Sequence, residues 1–144
     1  MRPDSWNFPL LLHVAGAAVL FGAVAAAAVS TLAADRVAEP EFMRRLAFRS
    51  LLLVGLPAYI VMRVGAEWLY SKGRFDELDE DPAWLSIGYI VADVGLLVFL
   101  IALVLAGIAS WKGKSGLARA AGVLSILLLV AMIVAVWAMG AKPD

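Results

Sequence analysis

The chain has 144 residues, 63% of them hydrophobic, with a mean hydropathy of +0.90, 17% charged residues and a formal net charge of zero. That balance excludes an ordinary soluble domain, and the absence of a basic excess gives nucleic acid no footing. Cysteine is absent, which removes disulfides, thiolate metal sites and thiol nucleophiles, and one histidine cannot build a multi-histidine metal cage. Phosphate-loop, dinucleotide-binding, His-pair zinc and serine-elbow motifs are all missing, so the sequence points away from an enzyme.

A helix needs roughly 20 apolar residues to cross a bilayer. Four stretches qualify, at about 7–34, 46–70, 84–110 and 119–139. The expected fold class is therefore all-α, a single membrane domain over residues 1–144 built as a four-helix transmembrane bundle. The first run carries Trp6 and Phe8 at its start and no charge within it. It is longer than the apolar region of a cleaved leader and lacks a strongly basic start, so it is read as a resident helix. The second contains Arg63 and Glu67, with Pro57 expected to kink it. An acidic loop at 71–83, with Asp76, Glu77, Asp79, Glu80 and Asp81, separates it from the third run, which contains Asp93. The fourth carries no internal charge.

Lys and Arg set the expected orientation. Arg36, Arg44, Arg45, Arg49, Lys112, Lys114 and Arg119 fall on one side, and Arg2, Lys72, Arg74 and Lys142 on the other. Loops one and three are therefore expected in the cytoplasm, with both termini and the acidic loop outside, in a multi-pass membrane protein. Trp6, Trp68, Tyr70, Trp84 and Trp137 fall near the expected outer ends and Trp111 near an inner one, as interfacial aromatics do. Small residues four apart, Gly22 with Ala26, Gly88 with Ala92 and Ala102 with Ala106, are expected helix contacts.

The ionisable residues inside the spans are the most informative feature, because charge in hydrocarbon is costly and marks pathways or ligand sites. At 1.5 Å of rise per residue, His13 and Arg63 lie about 10 Å along their helices from the outer edge, Asp93 about 13 Å and Glu67 about 5 Å. Tyr59, Arg63, Glu67 and Tyr70 share one helical stripe, and Ser86, Tyr89 and Asp93 share another. Both stripes are expected to face inward, with Arg63 pairing with Asp93 or Glu67, His13 completing the polar cluster, and Tyr59 and Tyr89 supporting it. One arginine against two carboxylates leaves one negative charge, which a protonated His13 or a proton on one carboxyl would balance. Met62, Met132 and Met139 add soft donors on the same side, suited to copper or a haem iron, or else fill gaps in the core.

The opening LLLHVAGAAVLFGAV, through Leu12, His13, Val14, Gly16, Phe21 and Gly22, resembles the start of small bacterial four-helix membrane proteins related to the copper-resistance D-like superfamily, and the ending VWAMGAKPD resembles the tail of such chains. The resemblance implies an inner-membrane bundle with a role in metal or haem handling and puts His13 forward as a ligand. A complete copper or bis-histidine haem site lacks its second histidine here, which leaves a His/Met haem or a site shared between subunits. The leading expectation is a proton- or cation-coupled transport or accessory role for the cluster of His13, Arg63, Glu67 and Asp93. The alternatives are a haem- or metal-binding membrane protein and a structural subunit of a larger membrane complex. The lipid bilayer is the expected partner, with a homo-oligomer or a larger assembly open.

Overall fold

The computed structural model describes residues 7–142, so Arg2 and Trp6 lie outside it. Every regular element among the described residues is helical. Four helices are long and apolar enough to cross a membrane: α1 (Asn7–Ala33), α2 (Pro40–Gly73), α3 (Ala83–Lys112) and α4 (Ser115–Ala141). They run up and down as a ring, α1 between α2 and α4, and α3 against α4 and the first part of α2. Both ends of the described chain therefore share one end of the bundle with the acidic loop.

Local chemistry sets the boundaries. Pro40 occupies the first turn of α2, where its fixed φ suits a helix start and its missing N–H costs nothing. This moves the beginning of α2 from the expected 46 back to 40, because the polar stretch Pro40–Arg49 is amphipathic and lies along α3. The Pro82 carbonyl accepts the N–H groups of Leu85 and Ser86 at 2.9 and 3.1 Å and opens α3. Gly113, at φ +65°, ends α3 in the left-handed conformation that favours glycine. A short 3₁₀ turn at Phe75–Glu77 folds part of the acidic connection over the end of α2.

Pro57 acts one turn upstream of itself. It cannot donate to the carbonyl of Leu53, and the preceding stretch Ser50–Gly55 widens into a π-helical turn closed by the Leu56 N–H on the Leu51 carbonyl. The wide turn aims the Ser50 hydroxyl at the Ala23 carbonyl of α1, 3.0 Å away. It also presents Gly55 to the ring of Phe99, which is fully buried, and a Cβ on Gly55 would meet that ring at 3.1 Å.

Small residues dominate the core: Ala27, Ala47, Ala102, Ala106 and Ala121 are each at most 1% exposed, around Leu20, Val24, Leu51 and Phe99. Such residues let backbones approach, which is how helices pack where lipid competes for apolar surface. Ala102 and Ala106 meet the expected contact, and Gly88 lies beneath the methyl of Met139. Gly22 and Ala26 do not: both are exposed, and a Cβ on Gly22 would touch nothing within 4 Å. The inward stripe of α1 runs instead through Leu20, Val24 and Ala27.

At the end opposite the acidic loop, Asp35 ties three helices together. Its Oδ1 accepts from Arg44 Nη2 at 3.1 Å, and its Oδ2 accepts from Arg119 Nη2 and Nε at 3.0 and 3.2 Å. Arg44, only 8% exposed, also donates Nη1 to the Gly113 carbonyl at 3.2 Å. Topology alone was the expected role of these arginines. Arg44 and Arg119 have an architectural one as well, clamping the start of α2 and the start of α4 to the end of α1.

Candidate functional site

The site begins at a close crossing of α1 and α2. Gly16 lies on the backbone of Met62, where a Cβ would stand 2.6 Å from the Met62 nitrogen. Gly65 lies on the backbone of His13, where a Cβ would stand 2.5 Å from the His13 nitrogen. The two glycines bring His13 beside Met62, and its Nδ1 donates to the Met62 carbonyl at 3.1 Å. A carbonyl only accepts, so Nδ1 carries the proton and a neutral ring presents a lone pair at Nε2.

Arg63 follows Met62 and reaches the other way, toward α3. Its Nη2 lies 2.9 Å from Asp93 Oδ1, its Nε lies 3.3 Å from Glu67 Oε1, and its guanidinium carbon lies 5.2 Å from the centre of the Tyr89 ring. Two carboxylates from separate helices thus share one guanidinium, and the trio carries one net negative charge. Tyr59, buried one turn below, donates its hydroxyl to the Ala92 carbonyl at 2.6 Å and packs on Phe99. These contacts bridge α2 to α3 in the half of the bundle nearest the acidic loop.

The expectation that both stripes face inward needs correction. Tyr59 does face the core. The side chain of Glu67 is 52% exposed, that of Asp93 63% and that of Arg63 33%. The seam between α2 and α3 is where these three meet, and their carboxylates lie on its outer surface rather than in the centre of the ring. His13 is also separate from the trio, since its hydrogen bond goes to backbone and not to a carboxylate. Arg63 connects the two parts, because it borders the same cavity as His13.

That cavity has a volume of about 370 Å³ and lies among all four helices, with His13, Met62, Arg63, Tyr89 and Met139 on its wall. Aromatic rings close it toward the acidic loop. Tyr89 meets Tyr70 at 5.6 Å between centroids, Tyr70 meets Phe75 at 5.9 Å, and Phe75 meets Trp84 at 5.8 Å. The Lys142 ammonium lies 5.3 Å from the centre of the Trp84 ring. Tyr70 and Trp84, expected as interfacial anchors, are therefore also the cover of a cavity. Trp111 and Trp137, 88% and 59% exposed, have the free surface that an interfacial anchor needs.

A smaller space of about 90 Å³ lies next to this cavity toward the middle of the bundle, lined by His13, Tyr59, Met62, Met132 and Met139 among others. The sole histidine and three of the chain's five methionines thus converge on one small volume. Among the described residues no group of three or more His, Asp or Glu side chains is placed to hold a metal ion. The donors around the small space are of a different kind, one imidazole and thioethers, which suit a soft cation. Its size suits a single ion or a few waters, and a macrocycle does not fit within it.

Two parts of this site carry no mark in the sequence, and a third is marked only in part. Gly16 and Gly65 set the crossing, and an isolated glycine in an apolar helix gives no clue to its neighbour. Phe75 belongs to the ring cover, yet a lone aromatic in a strongly acidic loop gives no sign of it. The pairing of the three methionines with His13 was legible only as a shared level, because their facing depends on how α4 rotates against α1. Comparison with protein-family models, with curated proteins and with solved structures found no match to this chain.

Proposed function

We propose that this chain is a multi-pass protein of the bacterial inner membrane, with the acidic loop and both termini outside, and that its Arg63–Asp93–Glu67 cluster takes up a proton or cation as part of a transport or accessory role. The observation that carries this reading is the sharing of Arg63 by Asp93 and Glu67 beside a ring-covered cavity. Asp93 lies ten residues into α3 and Arg63 ten residues from the end of α2, each about 15 Å along its helix. A 30-residue helix is about 45 Å long, against about 30 Å of hydrocarbon, so these groups sit within the apolar layer. A charge at the middle of that layer costs about 3 kcal/mol on insertion scales, and these groups, roughly half-way to the middle, carry part of that cost. The excess negative charge of the trio is therefore a standing demand for a cation or a proton. Arg63 keeps that demand at one charge rather than two, and the cover of rings governs access from outside.

The test is flux in proteoliposomes containing the purified chain, read with a pH-sensitive dye and with monovalent cations. Asp93→Asn cancels the excess charge and is expected to abolish flux while the protein remains inserted. If Asp93→Asn and Arg63→Ala both leave flux unchanged, the role assigned to the cluster is gone.

A second reading has one specific observation in its favour, the convergence of His13 with Met62, Met132 and Met139 on one ion-sized space. Here His13 Nε2 and the thioethers hold a soft monovalent cation, and the Met62 carbonyl fixes the ring as an outer-shell acceptor does at metal-bound histidines. Silver ion is a redox-silent probe of this set. One equivalent bound by wild type and lost in His13→Ala supports it, and no binding ends it. A Soret band lost in His13→Ala would instead favour haem.

A further inference from the structure

The clamp at the end opposite the acidic loop leaves two arginines out. Arg44 turns inward to Asp35 and the Gly113 carbonyl, while Arg45 and Arg49, one helical turn apart on the same stretch of α2, are exposed. Arg45, its side chain 61% exposed, has one ion-pair partner among the described residues, Glu41 at 3.6 Å on its own helix. Arg49 forms no ion pair among the described residues. Both border a groove of about 700 Å³ on the outside of the bundle, between α2 and α3. The Phe48 ring lies against α3 within it because position 107 is glycine, where a Cβ would come within 3.0 Å of that ring. Beyond the arginines the wall is apolar, with Leu52, Val104 and Ile108, and Trp111 stands at the rim. No acidic residue belongs to the wall.

Depth gives the groove its chemistry. α2 has 34 residues, about 51 Å, so a centred helix leaves about 10 Å outside the hydrocarbon layer at each end. Arg45 lies about 7.5 Å from the start of α2, among headgroups, and Arg49 about 13.5 Å, just inside the layer. A guanidinium at that depth needs an anion or water, and no carboxylate of the described chain is paired with Arg49. Trp111, 88% exposed, marks the same interface on α3. Val104 lies seven residues deeper, so the groove runs about 10 Å from headgroup level into the apolar layer. We infer that this groove holds one anionic glycerophospholipid, with its phosphate on Arg45 and Arg49 and an acyl chain against Leu52, Val104 and Ile108. Two observations select that occupant. Two guanidiniums on a wall without acid favour a net negative headgroup and disfavour one that carries its own ammonium. The apolar wall continuing inward from them offers nothing to a free phosphate and matches an acyl chain. The site lies at the opposite end of the bundle from the Arg63 trio. It rests on the membrane reading alone and stands whether or not the chain supports flux.

The test is native mass spectrometry of the chain released from nanodiscs of phosphatidylcholine with a minority of phosphatidylglycerol. The wild type is expected to keep one phosphatidylglycerol per chain in preference to phosphatidylcholine. Arg45→Gln/Arg49→Gln, two changes at exposed side chains, is expected to lower that retention about thirtyfold. Val104→Trp fills the apolar part at an exposed position, leaves both charges in place and is expected to lower retention as well. Arg36→Gln/Lys114→Gln removes as many positive charges from the same end but outside the groove, and is expected to leave retention unchanged. Equal loss in that control would reduce the effect to diffuse surface charge and overturn the site. Equal retention of both lipids by wild type, full retention after Arg45→Gln/Arg49→Gln, or undiminished retention in Val104→Trp would each overturn it too. Displacement of the lipid by inorganic phosphate would assign the arginines to a free anion and overturn the lipid assignment. A chain that fails to enter nanodiscs would overturn the membrane reading and this site with it, whereas loss of flux alone leaves every one of these readouts in place.

Discussion

Gly65 of α2 lies directly on the backbone of His13 in α1, so close that a Cβ at position 65 would come within 2.5 Å of the His13 nitrogen and 2.9 Å of the Pro9 carbonyl oxygen. Gly16 does the same to Met62 one turn away. The imidazole therefore owes its position to the absence of two side chains. Gly65→Ala must push α1 from α2, since both obstacles are backbone and cannot rotate aside. Overpacking of this kind costs about 1–3 kcal/mol. We expect Gly65→Ala to lower the midpoint of thermal unfolding in detergent by several degrees. Gly22→Ala, where nothing lies within 4 Å, is expected to leave it unchanged. A Gly65→Ala variant as stable as wild type would contradict the crossing.

The charge balance of the trio orders its variants. Asp93→Asn leaves Arg63 paired with Glu67 and the cluster neutral. Arg63→Leu leaves two carboxylates with no cation and a net charge of minus two. Removing one partner of a desolvated pair costs about 3–5 kcal/mol, with less expected here because all three side chains are at least a third exposed. Stability, followed by unfolding in a denaturing detergent, is expected to fall in Arg63→Leu and to change little in Asp93→Asn. Arg63→Leu/Asp93→Leu is expected to recover part of the loss. The reverse order, with Asp93→Asn the more damaging, would mean that Asp93 is held by something other than Arg63.

Much of this architecture is legible in the residues themselves. Four apolar runs, broken by charged loops, announce four helices, because a bilayer-spanning length of apolar residues has few other uses. Arg63 and Asp93 were expected to pair because a lone charge at depth has few stable options, and they lie 2.9 Å apart. What composition and spacing cannot convey is rotation. A helix that is apolar all round gives no preferred face, so the small-residue spacing of Gly22 and Ala26 suggests a contact that α1 makes instead through Leu20, Val24 and Ala27. The polar stripes of α2 and α3 do define a face, but spacing does not say what that face turns to, and Glu67 and Asp93 lie on the seam between the two helices instead of inside the ring. Asp35 gives no signal in the sequence, because a single acid among basic loop residues looks like solvated surface, and its grip on Arg44 and Arg119 is visible only in three dimensions.

That grip is testable by itself. Arg44 is buried, bonded to Asp35 and to the Gly113 carbonyl, and its Nε finds no partner among the described residues. Asp35→Asn would leave the Arg44 charge uncompensated in a largely dry setting, whereas Arg119, two-thirds exposed, would stay solvated. We expect Asp35→Asn and Arg44→Leu each to destabilise the bundle by about 1–3 kcal/mol. Arg119→Leu is expected to cost under about 1 kcal/mol, as exposed pairs do. Limited proteolysis at loop residues 34–39 would report the loosening directly, with faster cleavage in Asp35→Asn than in Arg119→Leu. Equal cleavage in all three variants would show that Asp35 does not hold the loop.

Tyr59 links the core to the seam. Its ring packs on Phe99 at 5.4 Å between centroids, and its hydroxyl donates to the Ala92 carbonyl one residue before Asp93. Tyr59→Phe keeps the ring and removes the bond. Hydrogen bonds between helices in a membrane average about 0.6 kcal/mol, so the loss of stability is expected to be small. The more telling effect is positional. Without its tether to Ala92, α3 is freer to rotate, and the reach from Arg63 to Asp93 is set by that rotation. If the cluster carries the flux proposed above, Tyr59→Phe should reduce flux by more than its small stability change would explain. Tyr89→Phe, which keeps the ring over which the Arg63 guanidinium lies, should preserve it. A Tyr59→Phe variant with wild-type flux and an unaltered unfolding midpoint would separate the core of the bundle from its charged seam.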